Sequence, residues 1–114
     1  MNISFLFPML VYGIFLVAGL IMKFYPPKAI NSLYGYRTTA SMKSQAHWDF
    51  SQKYSANLMI KLAIVFLYTS PIGLFIKEEE MVVLLHLGLM LIIVFLLLFK
   101  TEKAIKHEFQ SKKS

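Results

Sequence analysis

Met81-Val82-Val83-Leu84-Leu85-His86-Leu87-Gly88-Leu89-Met90-Leu91-Ile92-Ile93-Val94-Phe95-Leu96-Leu97-Leu98-Phe99 is a run of nineteen residues whose apolar character is broken only by His86. As a helix rising about 1.5 Å per residue it reaches roughly 28 Å, close to the ~30 Å hydrocarbon core of a bilayer. Two further runs have similar character. Ile3–Met22 is twenty residues without a charge, and Leu62–Ile76 is fifteen, reaching twenty-one when Ala56–Lys61 is included. The 114-residue chain is 57% hydrophobic with a mean hydropathy of +0.59. A soluble domain this small cannot hide so much apolar surface. The runs are apolar on all sides rather than alternating, which favours helices over the strands of a barrel. The sequence therefore reads as one all-α membrane domain over 1–114. It has transmembrane helices near 3–24, 56–76 and 81–99, a loop at 25–55 and a basic tail at 100–114.

The first run lacks a basic region before it and a convincing small-residue cleavage site, and its apolar stretch is too long for a signal peptide. It reads as an uncleaved first span with a very short outer end, Met1–Asn2. Charge sets the orientation. Lys23, Lys28, Arg37, Lys43, Lys53 and Lys61 against Asp49 give the first inter-span segment +5, and Lys100, Lys103, Lys106, Lys112 and Lys113 against Glu102 and Glu108 give the tail +3. Lys77-Glu78-Glu79-Glu80 carries −2. Because positive segments stay cytoplasmic, the N-terminus is expected outside, with the long loop and the C-terminus inside. The net charge of +6 then needs no nucleic acid. A single Arg gives little for base stacking, whereas the lysines suit anionic headgroups, making membrane lipids the expected partners. No cysteine is present, which excludes disulfides, thiolate catalysis and Cys-based metal sites. His47, His86 and His107 have no acidic cluster nearby in sequence, so neither a metal nor a cofactor is expected. Three helices leave much lipid-facing surface, which is compatible with a homo-oligomer.

Local signals divide the chain further. Pro8 either opens or kinks the first helix, and Gly13, Ala18 and Gly19 are small enough for another helix to approach. Tyr25-Pro26-Pro27 ends that helix. Lys28–Leu33 is expected to form one short interfacial turn. Gly35 suits a bend that needs positive φ. Ser44 is expected to cap a helix running from Gln45 through Trp48, Ser51, Tyr54, Ser55 and Leu58 into the second span, with Lys61 snorkelling at the boundary. Ser70-Pro71-Ile72-Gly73 breaks or kinks that span near its outer end. Lys77–Glu80 then makes spans two and three an antiparallel hairpin. In the tail, Lys100, Lys103 and Lys106 recur at helical spacing and Ile105 and Phe109 lie one turn apart, which reads as a basic amphipathic extension on the inner surface.

Chemistry concentrates in the first loop. Arg37 can make bidentate bonds to a phosphate or carboxylate. Thr38, Thr39 and Ser41 add hydroxyls, Lys43 a point charge, and Tyr34, Tyr36 and Trp48 flat amphipathic contact area. Such a group suits a lipid headgroup or a peptide terminus; alternatively Arg37 pairs with Asp49 and the aromatics seat the loop among headgroups. His86 either hydrogen-bonds Tyr68, Thr69 or Ser70 across the hairpin, or has a proton or ligand role. Arg37 with its neighbouring hydroxyls and His47 is the only motivation for an enzyme acting on a lipid or peptide. There is no carboxylate pair, nucleophile triad or phosphate-cradling glycine loop, so the chain is not expected to be an enzyme.

Asn31-Ser32-Leu33-Tyr34-Gly35-Tyr36-Arg37-Thr38-Thr39-Ala40-Ser41-Met42-Lys43, followed by Trp48, resembles the signature of the SdpI family of small bacterial membrane proteins. That signature reads approximately I-N-x-x-Y-G-Y-R-T-x-x-S-M-K-N, then Trp, then Ala-Asn. Ile30 fits it as well. Ser44 departs from the usual Asn, Gln45-Ala46-His47 from a more acidic stretch, and Ser51-Gln52 from Ala-Asn. The resemblance extends over about residues 15–100 and includes a span before the motif and a hairpin after it. The family's namesake is an immunity protein that protects its producer from a secreted membrane-active toxin peptide and holds a transcriptional repressor at the membrane when toxin is present. The resemblance thus implies a bacterial cytoplasmic membrane protein that resists or binds such a toxin. It also implies a cytoplasmic regulator as a second partner, and Asn31, Tyr34, Tyr36, Arg37, Thr38, Ser41, Lys43 and Trp48 as the residues contacting ligand or partner. Longer members carry extra spans, and this chain looks like the minimal three-span unit. The alternative is an accessory scaffold that contacts anionic lipids or a partner protein without toxin specificity.

Overall fold

The computed structural model describes residues 3–110, which leaves the tail lysines Lys112 and Lys113, and the expected outer end Met1–Asn2, outside the described residues. It has three α-helices: α1 over Ile3–Phe24, α2 over Gln45–Leu67 and α3 over Glu79–Gln110. A 3₁₀ helix over Ser70–Phe75 follows α2. The helical segments carrying the three apolar runs are each long and apolar enough to cross a membrane. The molecule is elongated, 55 × 27 × 20 Å. Its large apolar side chains, among them Leu10, Ile14, Val65, Leu91 and Phe95, point outward, as the bilayer requires and water would not permit.

The interior is narrow and unusually polar. α1 turns Ser4, Pro8, Tyr12, Gly19 and Met22 inward, one face at helical spacing. Pro8 therefore lies inside α1 rather than opening it. Gly19 lies where α1 comes close to the backbone of α2. A Cβ there would stand 2.9 Å from Ile60 Cγ1 and 3.3 Å from the Ala56 carbonyl oxygen, so only glycine lets the two backbones meet. α1 packs more extensively on α2 than α2 does on α3. The core is thus centred on the first pair of helices.

Ser44 caps α2, its hydroxyl oxygen accepting the His47 N–H at 3.2 Å. The helix ends at Leu67, short of the expected limit at 76. Pro71 occupies the start of the 3₁₀ helix, where its missing N–H costs no hydrogen bond. Gly73 then lies against α1, a Cβ at that position standing 3.0 Å from Ser4 Cβ.

Two expectations are corrected. Lys28–Leu33 is not a helical turn. Asn31 Oδ1 accepts the N–H groups of Leu33 (2.9 Å) and Tyr34 (2.7 Å), and Asn31 Nδ2 donates to the Ala29 carbonyl at 3.0 Å. The side chain thus offers the backbone partners that a helix would otherwise supply. The tail up to Gln110 is not a separate extension lying on a surface. α3 is one continuous helix of 32 residues, about 48 Å long, and its last turns fold against the rest of the protein. Ile105 packs with Met22, Tyr36 and Ala56, and the Phe109 ring stacks on His47 with centroids 3.8 Å apart. The apolar stripe of the tail finds protein where lipid was expected.

Candidate functional site

The motif loop begins with a constraint that only glycine meets. Gly35 has φ +107°, and a Cβ would lie 2.6 Å from both Gln52 Oε1 and Pro27 Cγ. That bend brings the Tyr36 backbone against the Gln52 amide. Tyr36 N–H donates to Gln52 Oε1 at 2.7 Å, and Gln52 Nε2 donates to the Tyr36 carbonyl at 2.7 Å. One side chain of α2 thereby satisfies both backbone groups of a buried loop residue, which would otherwise be costly to bury.

The loop then folds on its own hydroxyls. Ser41 Oγ accepts the Thr38 N–H at 2.8 Å and reaches the carbonyls of Tyr36 (3.2 Å) and Thr38 (3.0 Å). Thr38 Oγ1 accepts the Ser41 N–H at 3.2 Å. From the far end of the sequence, Glu102 of α3 completes the arrangement. Its Oε2 accepts the Tyr36 phenol at 2.7 Å and the Thr38 hydroxyl at 2.8 Å. Burial raises the Tyr36 pKa above its ordinary value, and the hydrogen bond and negative charge of Glu102 raise it further. The phenol is therefore a fixed neutral donor at any physiological pH.

The eight residues singled out in the sequence divide into three groups. Tyr36, Ser41 and Trp48 are buried. Trp48 does not lie flat among headgroups; its ring is fully enclosed and its indole N–H donates to the Pro27 carbonyl at 2.7 Å. These three hold the loop. Asn31 and Thr38 are half-buried and serve the loop's own hydrogen bonds. Tyr34, Arg37 and Lys43 are exposed. Tyr34 donates its phenol to the Tyr25 carbonyl at 2.7 Å. Arg37 does not pair with Asp49. Its Nη1 donates to the Ser32 carbonyl, while Asp49 Oδ1 receives Gln45 Nε2 at 2.8 Å. Each side chain instead finds a partner close in sequence, a backbone carbonyl for Arg37 and a side-chain amide for Asp49.

Beside the loop is a cleft of about 580 Å³ lined in part by Lys43, His47, Glu102, Lys106 and Phe109. It offers two ammonium groups, an aromatic wall formed by the His47–Phe109 stack, and a carboxylate already held by Tyr36 and Thr38. Such a surface can receive an extended peptide or its carboxylate end. Among the described residues no group of three His, Cys, Asp or Glu side chains converges as a metal would require.

Within the spans, His86 is fully buried and does not bond across the hairpin. Its Nδ1 lies 2.7 Å from the Tyr12 hydroxyl of α1, with the rings edge to face at 5.6 Å. Thr69 instead donates to the Phe66 carbonyl at 2.6 Å, and Tyr68 points outward. Sequence reasoning missed Gln52, Glu102 and Tyr12. Gln52 is one turn from Trp48, and Glu102 lies beside the buried Leu97–Thr101–Ile105 stripe of α3. In both cases a polar residue at or beside an inward face was the available signal.

Compared with known proteins, residues 28–100 match the SdpI/YfhL protein family, a stretch running from the motif loop through α2 to the middle of α3. The uncharacterized protein YfhL of Bacillus subtilis (strain 168) is 49% identical over 53 residues, covering 46% of this chain and 48% of that relative. The chain therefore spans about half the length of the curated relative it matches. No solved structure matches.

Proposed function

The chain belongs to the SdpI/YfhL protein family, and on that premise we propose that it binds, or confers resistance to, a membrane-active toxin peptide in the bacterial cytoplasmic membrane. The observation that carries this reading is the family match across the motif loop and the helices that hold it, together with the protective role of the family's namesake. The basic end of the molecule faces the cytoplasm in this reading, because Lys and Arg gather there. It works as a binding protein rather than an enzyme. Arg37 and Tyr34 are exposed on the loop and Lys43 opens onto the adjoining cleft, so these make contact. Tyr36, Thr38, Ser41 and Trp48, braced by Gln52 and Glu102, hold the contact surface in one shape, which lowers the ordering cost of binding. A cytoplasmic regulator would meet the same face.

Expression in a toxin-sensitive host tests the reading, with membrane levels of each variant matched. Wild type is expected to protect and Arg37→Ala to lose most of that protection. No protection by wild type, or equal survival with both, contradicts it. A second reading, an accessory scaffold contacting anionic lipids or a partner protein, is favoured by the concentration of lysines at one end. It predicts peptide-independent, salt-sensitive membrane recruitment of partners.

A further inference from the structure

A second cleft, of about 540 Å³, lies between the end of α1 and the first half of α2. It shares no lining residue with the cleft that Lys43 borders. Three ammonium groups from three separate elements rim it: Lys23 in the last turn of α1, Lys28 after the two prolines, and Lys53 on α2. Asp49 is the single acid on the rim, and one of its oxygens is occupied by Gln45. Against one acid, three lysines leave the cleft at +2. Its floor is Met22 and Pro27, both buried, beside Gln52.

The depth of this cleft identifies its occupant. Lys23 follows directly on the uncharged run Ile3–Met22, so the rim lies where hydrocarbon gives way to headgroups. From there outward-facing apolar side chains continue along α1 (Leu20) and α2 (Ile64). A soluble anion would use the lysines and gain nothing from these faces. A molecule with a phosphate at one end and hydrocarbon at the other uses both. We propose that the cleft holds the headgroup of an anionic phospholipid, with its acyl chains along the outer faces of α1 and α2. Because Gln52 forms part of the floor and also clamps Tyr36, an occupied cleft stiffens the motif loop from behind. This inference does not rest on the toxin reading, and its failure would leave that reading intact.

The test uses the full chain in phosphatidylcholine nanodiscs doped with phosphatidylglycerol, with retained lipid counted by native mass spectrometry. A lysine at a membrane surface favours anionic lipid roughly fivefold, so wild type is expected to retain phosphatidylglycerol over phosphatidylcholine by at least about tenfold. The triple variant Lys23→Gln/Lys28→Gln/Lys53→Gln is expected to lose most of that preference. A charge-matched variant, Lys61→Gln/Lys100→Gln/Lys103→Gln, is expected to stay within about twofold of wild type. Asp49→Asn, which preserves the Gln45 hydrogen bond, is expected to raise retention. Equal loss in both triple variants would show diffuse charge attraction and overturn the proposal. So would undiminished retention in the first triple variant, or unchanged or lower retention on Asp49→Asn. Inorganic phosphate added at millimolar concentration is expected to leave the bound lipid in place; displacement by it would assign the cleft to a free anion instead.

Discussion

Replacing Gln52 by leucine isolates what the Tyr36 clamp contributes. The substitution keeps the bulk of the side chain and removes both of its hydrogen bonds to Tyr36, each 2.7 Å long. Tyr36 is only 7% exposed, so its N–H would be left without a partner in the interior and its carbonyl would keep only the 3.2 Å bond from Ser41 Oγ. A buried group stripped of its partner costs about 1–3 kcal/mol. One stripped N–H and one weakened carbonyl, partly relieved as the loop lifts and admits water, amount to about 1–3 kcal/mol. Because each 1.4 kcal/mol is a factor of ten, the opening equilibrium of the loop should rise roughly 5- to 150-fold. Hydrogen–deuterium exchange by mass spectrometry on detergent-solubilised protein reads this at the Tyr36 amide itself, with amides in the middle of α1 as an internal reference. Gln52→Glu separates the two bonds: it retains an acceptor for the Tyr36 N–H and sets a carboxylate against the Tyr36 carbonyl, so exchange should accelerate there too. If Tyr36 exchange in Gln52→Leu stayed within about threefold of wild type while α1 was unchanged, the clamp would not be what holds the motif.

Three further outcomes follow from particular contacts. Tyr36 has its folded pKa raised, chiefly by burial and next by Glu102. Its contribution to stability is complete below its ordinary unfolded value near 10 and falls as pH rises through the folded value. The difference between the ultraviolet alkaline titrations of wild type and Tyr36→Phe should therefore show a phenol ionising above pH 10, and a missing phenol titrating at the ordinary value would contradict this. Gly19→Leu should separate α1 from α2, because even a Cβ meets Ile60 at 2.9 Å. The expected loss is about 1–3 kcal/mol of thermal stability in detergent, and an unchanged melting temperature would refute the close approach. Tyr12→Phe and His86→Leu should be non-additive, since each removes the same hydrogen bond. A double-mutant cycle should return a coupling of about 0.5–2 kcal/mol, and strictly additive losses would mean that the pair does not interact.

Much of the architecture was legible because its causes are local. Each apolar run announces itself by length. Ser44 needs only the amide three residues ahead, and the bend at Gly35 needs only the absence of a side chain. The α2 break before Pro71 follows from a proline that cannot continue a helix. What was not legible depends on partners distant in sequence. Tyr36 and Trp48 sit among polar neighbours and read as surface aromatics. The acceptor for Tyr36 lies 66 residues away on α3 and that for Trp48 lies 21 residues back at Pro27. Glu102, flanked by Lys100 and Lys103, reads as one more solvated charge, yet it is the carboxylate on which the loop closes. For His86, the polar residues in the neighbouring run Leu62–Ile76 are Tyr68, Thr69 and Ser70, across the hairpin. The closest packing instead brings α1 inward and presents Tyr12. The tail was misplaced for a related reason. Ile105 and Phe109 were correctly read as one apolar stripe, but nothing nearby in sequence shows that Met22, Ala56 and His47 supply its complement.

α3 continues as one helix beyond its apolar run and packs against the motif and the start of α2. The chain has no cysteine, so an introduced pair reports without background. With His47→Cys and Phe109→Cys, whose native rings stack at 3.8 Å, a short bifunctional thiol reagent in intact membranes should join the two positions within one molecule. A pair at His47 and Leu84 should remain unlinked. Failure of the 47–109 pair to link, in membranes where the protein is present and inserted, would contradict the account.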